Sequence, residues 1–193
     1  MTSLISPPEL DGPAFDIVFL DRDGTLNSRL PRYVTTPAEL ELLPGVADAV
    51  AALNRSGARV VLVTNQRGLA IGELASPQLD EVHRALREQL SRSGAWLDGI
   101  FVCPHDVGTC ACRKPARGLF EQALAVAPWA DPARCAMVGD MVTDVEPAAA
   151  MGMRTILLRP GAADDEGWDT APSLSEAVRR LLTTAPVRTT GRA

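Results

Sequence analysis

Five short apolar runs, at residues 17–20, 60–63, 100–102, 136–138 and 155–158, are each separated from the next by a stretch with helical spacing. The runs are rich in Val, Ile, Leu and Phe and show little polar–apolar alternation, the pattern of strands covered on both faces. A sheet with one wet face would alternate. Strands interleaved with helices instead imply βαβ units, right-handed crossovers and a mostly parallel sheet between two helical layers. The expected fold is α/β, a Rossmann-like three-layer α/β/α sandwich.

Local signals place the helices. Residues 46–54 carry a helical period and are followed by Gly57 as a stop; 77–90 follow Ser76 as cap, with Pro77 in the first turn. A third helix is expected over 119–126. Thr143 with Glu146 fits a capping box for a helix running to Met151, and Ser173 with Glu176 opens the last helix. Residues 1–13 and 185–193 are expected to be mobile ends around one domain spanning 14–184. Between the units there is no insertion long enough for a large cap domain. The longest irregular stretch, 25–44, is the expected flap over a substrate.

The 193 residues suffice for one domain with its own core. Nineteen basic against twenty-four acidic residues leave a net charge of −5, which disfavours a general nucleic-acid or membrane-surface binder. The first residues show neither a basic flank nor an apolar stretch, and no run approaches the ~18 apolar residues of a membrane span. The expected setting is the cytoplasm, where four cysteines stay reduced. Eighteen of the nineteen basic residues are Arg, and Lys114 is the only Lys. A compact ammonium has been kept at one position in a chain that otherwise uses the planar guanidinium.

In open parallel sheets ligands bind beyond the carboxyl ends of the strands. After the first run stand Asp21-Arg22-Asp23-Gly24-Thr25; after the second, Thr64-Asn65-Gln66; after the third, Cys103-Pro104-His105 and then Arg113-Lys114; after the fourth, Gly139-Asp140 and, four residues on, Asp144. Each Asp alone could merely end a strand or cap a turn. Together, Asp21, Asp23 and Asp140 would repel by about 4 kcal/mol per pair at 4 Å and an effective dielectric of about 20, so the cluster calls for a cation. An all-oxygen set with few protein ligands suits Mg²⁺. An ionised Asp21 could attack phosphorus without a base, and Asp23 could protonate the leaving oxygen and then deprotonate water. Gly24 lets the backbone turn sharply, while Thr64 and Lys114 could hold the phosphoryl oxygens.

Cys103, His105, Cys110 and Cys112 fall within ten residues. Three thiols and an imidazole suit a tetrahedral structural Zn²⁺ closing the loop, although the spacing is not that of a zinc finger. A redox pair and a Cys103–His105 nucleophile are the competing readings. Cys135, before an apolar run, reads as a small core residue, and His83 as a surface or packing histidine.

Read in order, Asp21-Arg22-Asp23-Gly24-Thr25, Thr64-Asn65, Lys114 and Gly139-Asp140 with Asp144 resemble the four motifs of the haloacid dehalogenase superfamily of phosphatases. The resemblance implies Asp21 as nucleophile, Asp23 as acid/base, and Thr64 and Lys114 as phosphoryl binders. It also implies Asp21, Asp140 and the Asp23 carbonyl as Mg²⁺ ligands, with Asp144 in support. The Cys-x-His…Cys-x-Cys-Arg-Lys-Pro run narrows it to the zinc-loop subgroup of heptose 1,7-bisphosphate 7-phosphatases, with histidinol-phosphate phosphatases as close relatives. Tyr33, Asn65, Gln66, Arg67, Arg113 and Lys114 are then implied to contact the sugar or its phosphates. Two departures bear on the substrate: Met141 stands where a substrate-contacting Lys often follows the acid, and the stretch between His105 and Cys110 is short.

The expected activity is Mg²⁺-dependent phosphomonoester hydrolysis of a small phosphorylated metabolite, by a monomer. Histidinol phosphate is the alternative substrate. A DNA 3′-phosphate is disfavoured by the net acidity, and a zinc-stabilised binding module with idle carboxylates is the non-enzymatic alternative.

Overall fold

The computed structural model describes residues 4–8, 12–161 and 167–184. Six parallel strands, β1 (Ile17–Leu20), β2 (Arg59–Asn65), β3 (Gly99–Cys103), β4 (Cys135–Gly139), β5 (Arg154–Leu158) and β6 (Thr170–Ala171), form one sheet in the order β3-β2-β1-β4-β5-β6. Five helices connect and cover them: α1 (Val46–Arg55), α2 (Ser76–Ser91), α3 (Gly118–Ala125), α4 (Val142–Ala149) and α5 (Leu174–Thr183).

The lack of alternation in the apolar runs has the expected cause. In β1, Val18 and Leu20 belong to the core shared with α1, α2 and α5, while Ile17 and Phe19 face the opposite core with α3 and α4. All four are fully buried. Each such side chain contributes about 1.5–3 kcal/mol through burial, so β1 is held from both layers at once. Phe19 also meets Phe120 of α3 edge to face, with ring centroids 5.2 Å apart.

β1 lies at the centre, and the chain leaves it first toward β2 and β3 and later toward β4 on the other side. The strand order therefore reverses between β1 and β4, and a crevice opens there beyond the strand ends. Leu20 pairs with Val138, so the residues that follow each strand, Asp21 and Gly139-Asp140, enter this crevice side by side.

Three local expectations are corrected. α4 starts at Val142, with Met141 as cap, and the Asp144 carboxylate accepts from the Met141 amide at 3.0 Å. Asp144 thus takes the capping place expected of Thr143 and Glu146, because the longer reach of a carboxylate from the third helical position closes on the cap amide. α2 is capped at Ala75, whose amide donates to Gln78 Oε1 at 2.8 Å, so Ser76 is already helical. The two-residue β6 has no counterpart among the apolar runs.

The irregular stretch after β1 folds back on itself. Asn27 bridges both Asp23 and Leu42, and the Ser28 amide donates to Glu41 O at 2.9 Å. At the amino end, Ile5 is buried, its amide donating to Val126 O and its carbonyl accepting from Trp129 Nε1. Residues 4–8 therefore include a packed anchor within the segment read as a loose end. Residues 1–3, 9–11 and the expected tail 185–193 lie outside the described residues. Among the described residues, no helix is long and apolar enough to cross a membrane.

Candidate active site

A cavity of about 520 Å³ lies at the strand ends. Asp21 and Asp23 follow β1, Thr64 and Asn65 end β2, and all four line it with Lys114 and Asp144. Carboxylate oxygens of Asp21, Asp140 and Asp144 come within 4.8 Å of one another. Three carboxylates from two separate stretches of sequence thus meet at the reversal point of the sheet.

The Lys114 ammonium contacts two of these acids directly: Nζ is 2.7 Å from Asp21 Oδ1, 2.8 Å from Asp144 Oδ1 and 2.7 Å from the Val63 carbonyl. The ammonium is fully buried, and such a charge is tolerable only when its donors are all taken. Burial alone would lower the Lys114 pKa, but Asp21 and Asp144 outweigh it and keep the ammonium charged. Burial pushes the Asp21 carboxyl up to about 6, with Lys114 pulling down and Asp144 adding to the rise. Only Lys could fill this place, since the space between three oxygens admits a point charge and not a fork.

Asp23, which lines the same cavity, has its carboxylate held by a different set of donors. Arg22 donates to it in two-point fashion at 2.9–3.1 Å, Asn27 Nδ2 at 3.0 Å and Gln66 Nε2 at 3.0 Å. Burial opposes ionisation, but Arg22, Asn27 and Gln66 prevail and hold Asp23 below the usual carboxylate range. Arg22 has no exposed surface, and its Nη1 lies 3.3 Å from His83 Nε2. Burial and the adjacent guanidinium push His83 down to about 4, so it is a neutral acceptor within the core. Sequence reasoning gave no role to Arg22 or Asn27.

The residues expected to contact substrate divide into two groups. Tyr33, Arg67 and Arg113 line the cavity. The ring of Tyr33 lies so close to Gly68 that a Cβ there would be 2.9 Å from it, which holds the ring over the turn 67–69. Arg67 pairs with Asp106 of the cysteine loop, and Arg113 carries a buried Nη1 with no partner among the described residues. Gln66, by contrast, is fully buried and bridges Asp23 and Thr64 Oγ1 rather than facing the cavity space. Asn65 borders the cavity, yet its amide is taken by the backbone of Lys114: Nδ2 donates to Lys114 O at 3.0 Å, and Lys114 N donates to Oδ1 at 3.1 Å. Asn65 and the Gln66 Nε2 thus hold neighbouring groups, while the buried Gln66 Oε1 has no partner among the described residues.

A residue that sequence reasoning missed stands beside Asp140. Arg29 donates to Asp140 through Nη2 at 2.8 and 2.9 Å and Nε at 3.1 Å, and through Nη2 to the Asp23 carbonyl at 2.7 Å. No motif contains Arg29; only the fold-back of the stretch after β1 carries it there. Burial and Asp21 raise the Asp140 pKa, with Arg29 opposing. Gly24, at φ +94°, packs against the same carboxylate: a Cβ would fall 2.2 Å from Asp140 Oδ2. Asp140 and the Asp23 carbonyl already converge on one positive centre, an all-oxygen arrangement that fits a hard divalent cation.

Cys103 Sγ lies 3.6 Å from Cys110 Sγ and 3.8 Å from His105 Nδ1, while Cys112 Sγ lies 3.4 Å from Cys110 Sγ and 3.2 Å from His105 Nδ1. These edges are close to the roughly 3.7 Å expected around a tetrahedral Zn²⁺ with bonds near 2.3 Å, and far beyond a disulfide of about 2.05 Å. The four donors fit zinc. Cys135 is buried apart from them, in the core.

A HAD-hydrolase-like family model matches residues 111–183. The D-glycero-beta-D-manno-heptose-1,7-bisphosphate 7-phosphatase of Bordetella bronchiseptica is 38% identical over 147 residues, 75% of this chain and 81% of that protein. The D-glycero-alpha-D-manno-heptose-1,7-bisphosphate 7-phosphatase of Mycobacterium tuberculosis is 38% identical over 131 residues, 67% of this chain and 69% of that one. The crystal structure of the D,D-heptose 1,7-bisphosphate phosphatase from B. bronchiseptica, complexed with magnesium and phosphate, matches with a TM-score of 0.79 at 32% identity. That match covers 87% of this chain and 98% of the other.

Proposed function

The chain belongs to the haloacid dehalogenase-like family of phosphatases, and on that footing we propose that it hydrolyses the 7-phosphate of a D-glycero-D-manno-heptose 1,7-bisphosphate. The observation that carries the reading is the Asp21–Lys114–Asp144 cluster at the floor of a cavity walled by arginines. Relatives at equal identity bear the names of both anomers, so the anomer is left to the assay.

Asp21 attacks phosphorus in line, the bond from phosphorus to the sugar oxygen breaks, and that oxygen takes a proton from Asp23. Water then attacks the aspartyl-phosphate while Asp23 removes its proton, which releases phosphate and restores Asp21. Asp23 starts as an anion; as the negative phosphate arrives and raises its proton affinity, it takes from solvent the proton it gives to the leaving oxygen, and it returns to solvent the proton later removed from water when phosphate leaves. Lys114 neutralises charge on the transferred oxygens, and the Thr64 hydroxyl donates a hydrogen bond to them. Asp21, Asp140 and the Asp23 carbonyl would hold Mg²⁺, which when bound supplies further neutralisation of those oxygens. Arg67 and Arg113, whose Nη1 has no partner among the described residues, offer donors to the rest of an anionic sugar, beside Tyr33. Action as a monomer, in the cytoplasm, is part of this proposal.

The test is a panel with added Mg²⁺: both heptose 1,7-bisphosphate anomers, histidinol phosphate and a DNA 3′-phosphate. One heptose anomer is expected to exceed the other two substrate classes at least roughly tenfold in kcat/KM, about 1.4 kcal/mol of transition-state binding. A preference for histidinol phosphate would move the assignment to that substrate.

Cys103, His105, Cys110 and Cys112 are proposed to hold a structural Zn²⁺ whose loop fixes Arg113 and Lys114. Removing zinc while restoring Mg²⁺ should lower kcat/KM and the thermal midpoint together. Zinc-free protein, verified by metal analysis, with full activity and an unchanged midpoint would refute this role.

A further inference from the structure

The contacts of Arg29 define a small, specific receptor for positive charge. Its guanidinium takes both oxygens of Asp140 and the carbonyl of Asp23, all within 2.7–3.1 Å. Its side chain is half exposed, so packing does not hold it there. What holds it is the match between a planar fork and a carboxylate, together with the negative charge of the neighbouring acids. Those three oxygens include two of the three groups proposed to hold Mg²⁺. A guanidinium and a divalent cation cannot share them, because each needs the same lone pairs and the two charges repel.

We infer that Arg29 is a built-in competitor of the divalent metal: it occupies the metal-binding oxygens in exchange with the cation and so sets the metal affinity of this chain. The inference rests on the metal site proposed above. Arg29 sits in the stretch that folds back after β1 and also lines the cavity, so release from Asp140 leaves it an open direction to move without unfolding anything. Binding of the metal then carries the cost of displacing an ion pair, and apparent affinity falls by the fraction of time Arg29 holds the site.

Arg32 provides the control. It lines the same cavity and carries the same charge, but pairs with Glu39 instead of the metal acids. Isothermal titration of Mg²⁺, repeated with Mn²⁺, into the zinc-loaded native chain, Arg29→Gln and Arg32→Gln separates occupancy of the site from a general loss of positive charge. Arg29→Gln is expected to tighten metal binding at least fivefold, and Arg32→Gln less than twofold. Arg29→Ala serves as a second variant, and melting curves establish that each is folded. Equal tightening by both substitutions, or unchanged or weaker binding in Arg29→Gln, would overturn the inference while leaving the metal site in place. No metal binding by any of the proteins would overturn both the site and the inference.

Discussion

Asp21→Asn should yield a folded protein whose kcat is lower by at least about 10⁴-fold. The amide matches the carboxylate in shape but carries no charge with which to attack phosphorus. The ammonium of Lys114 is not orphaned by the change, since it keeps Asp144 at 2.8 Å and the Val63 carbonyl at 2.7 Å. Burial raises the Asp21 pKa to about 6, so at neutral pH the folded state carries a cost for keeping this group charged. Linkage then gives the sign: a raised carboxyl pKa makes the ionised form destabilising above that pKa, and its removal relieves the penalty. The thermal midpoint of the variant should equal or exceed that of the native chain at pH 7–8. Steady-state kinetics and calorimetry on the same preparation check both halves. Activity within tenfold of native would reject Asp21 as nucleophile. A native chain with no turnover on the whole panel, together with partner binding unchanged by the substitution, would point to the binding module.

Lys114→Met should be the most damaging single substitution in both stability and rate. It leaves Asp21 and Asp144 buried next to each other without their shared cation. Breaking a buried ion pair by removing one partner costs about 3–5 kcal/mol. In a chain of this size that is roughly a 10 °C fall in midpoint, at about 2–4 °C per kcal/mol. Catalysis should fall at least about 10³-fold, because the charge facing the transferred oxygens is gone. Adding Asp144→Asn to Lys114→Met should recover part of the midpoint and none of the rate. A double variant that regained activity would mean that Lys114 serves only the fold. Lys114→Arg should also be inactive, since contacts of 2.7–2.8 Å to three oxygens leave no room for a guanidinium.

Much of this was legible in the residues alone. The strands β1 to β5 were readable because burial on both faces removes alternation, and a short apolar run then has few other meanings. Thr170–Ala171 was not, since two residues give no period and β6 exists only because β5 offers it an edge. Asp21, Asp23, Thr64, Lys114, Asp140 and the Cys/His loop were readable because each follows a strand at the edge where ligands bind. Which way Gln66 and Asn65 turn was not legible, for the opposite reason. Their chemistry suits a substrate as well as a neighbour, and only packing sends Gln66 beneath the cavity and Asn65 onto the Lys114 backbone.

By itself, the order of apolar runs and polar strand ends determined a parallel sheet, one catalytic edge and the types of group gathered there, because periodicity and strand-end position are local properties. Tertiary structure alone decided which groups touch. The reversal between β1 and β4 set Asp21 beside Asp140; the depth of Lys114 brought its ammonium into direct contact with Asp21 and Asp144; and the fold-back after β1 delivered Arg29 to Asp140 across 111 positions of sequence. Contacts of that range depend on how whole layers pack, and no neighbouring residue encodes them.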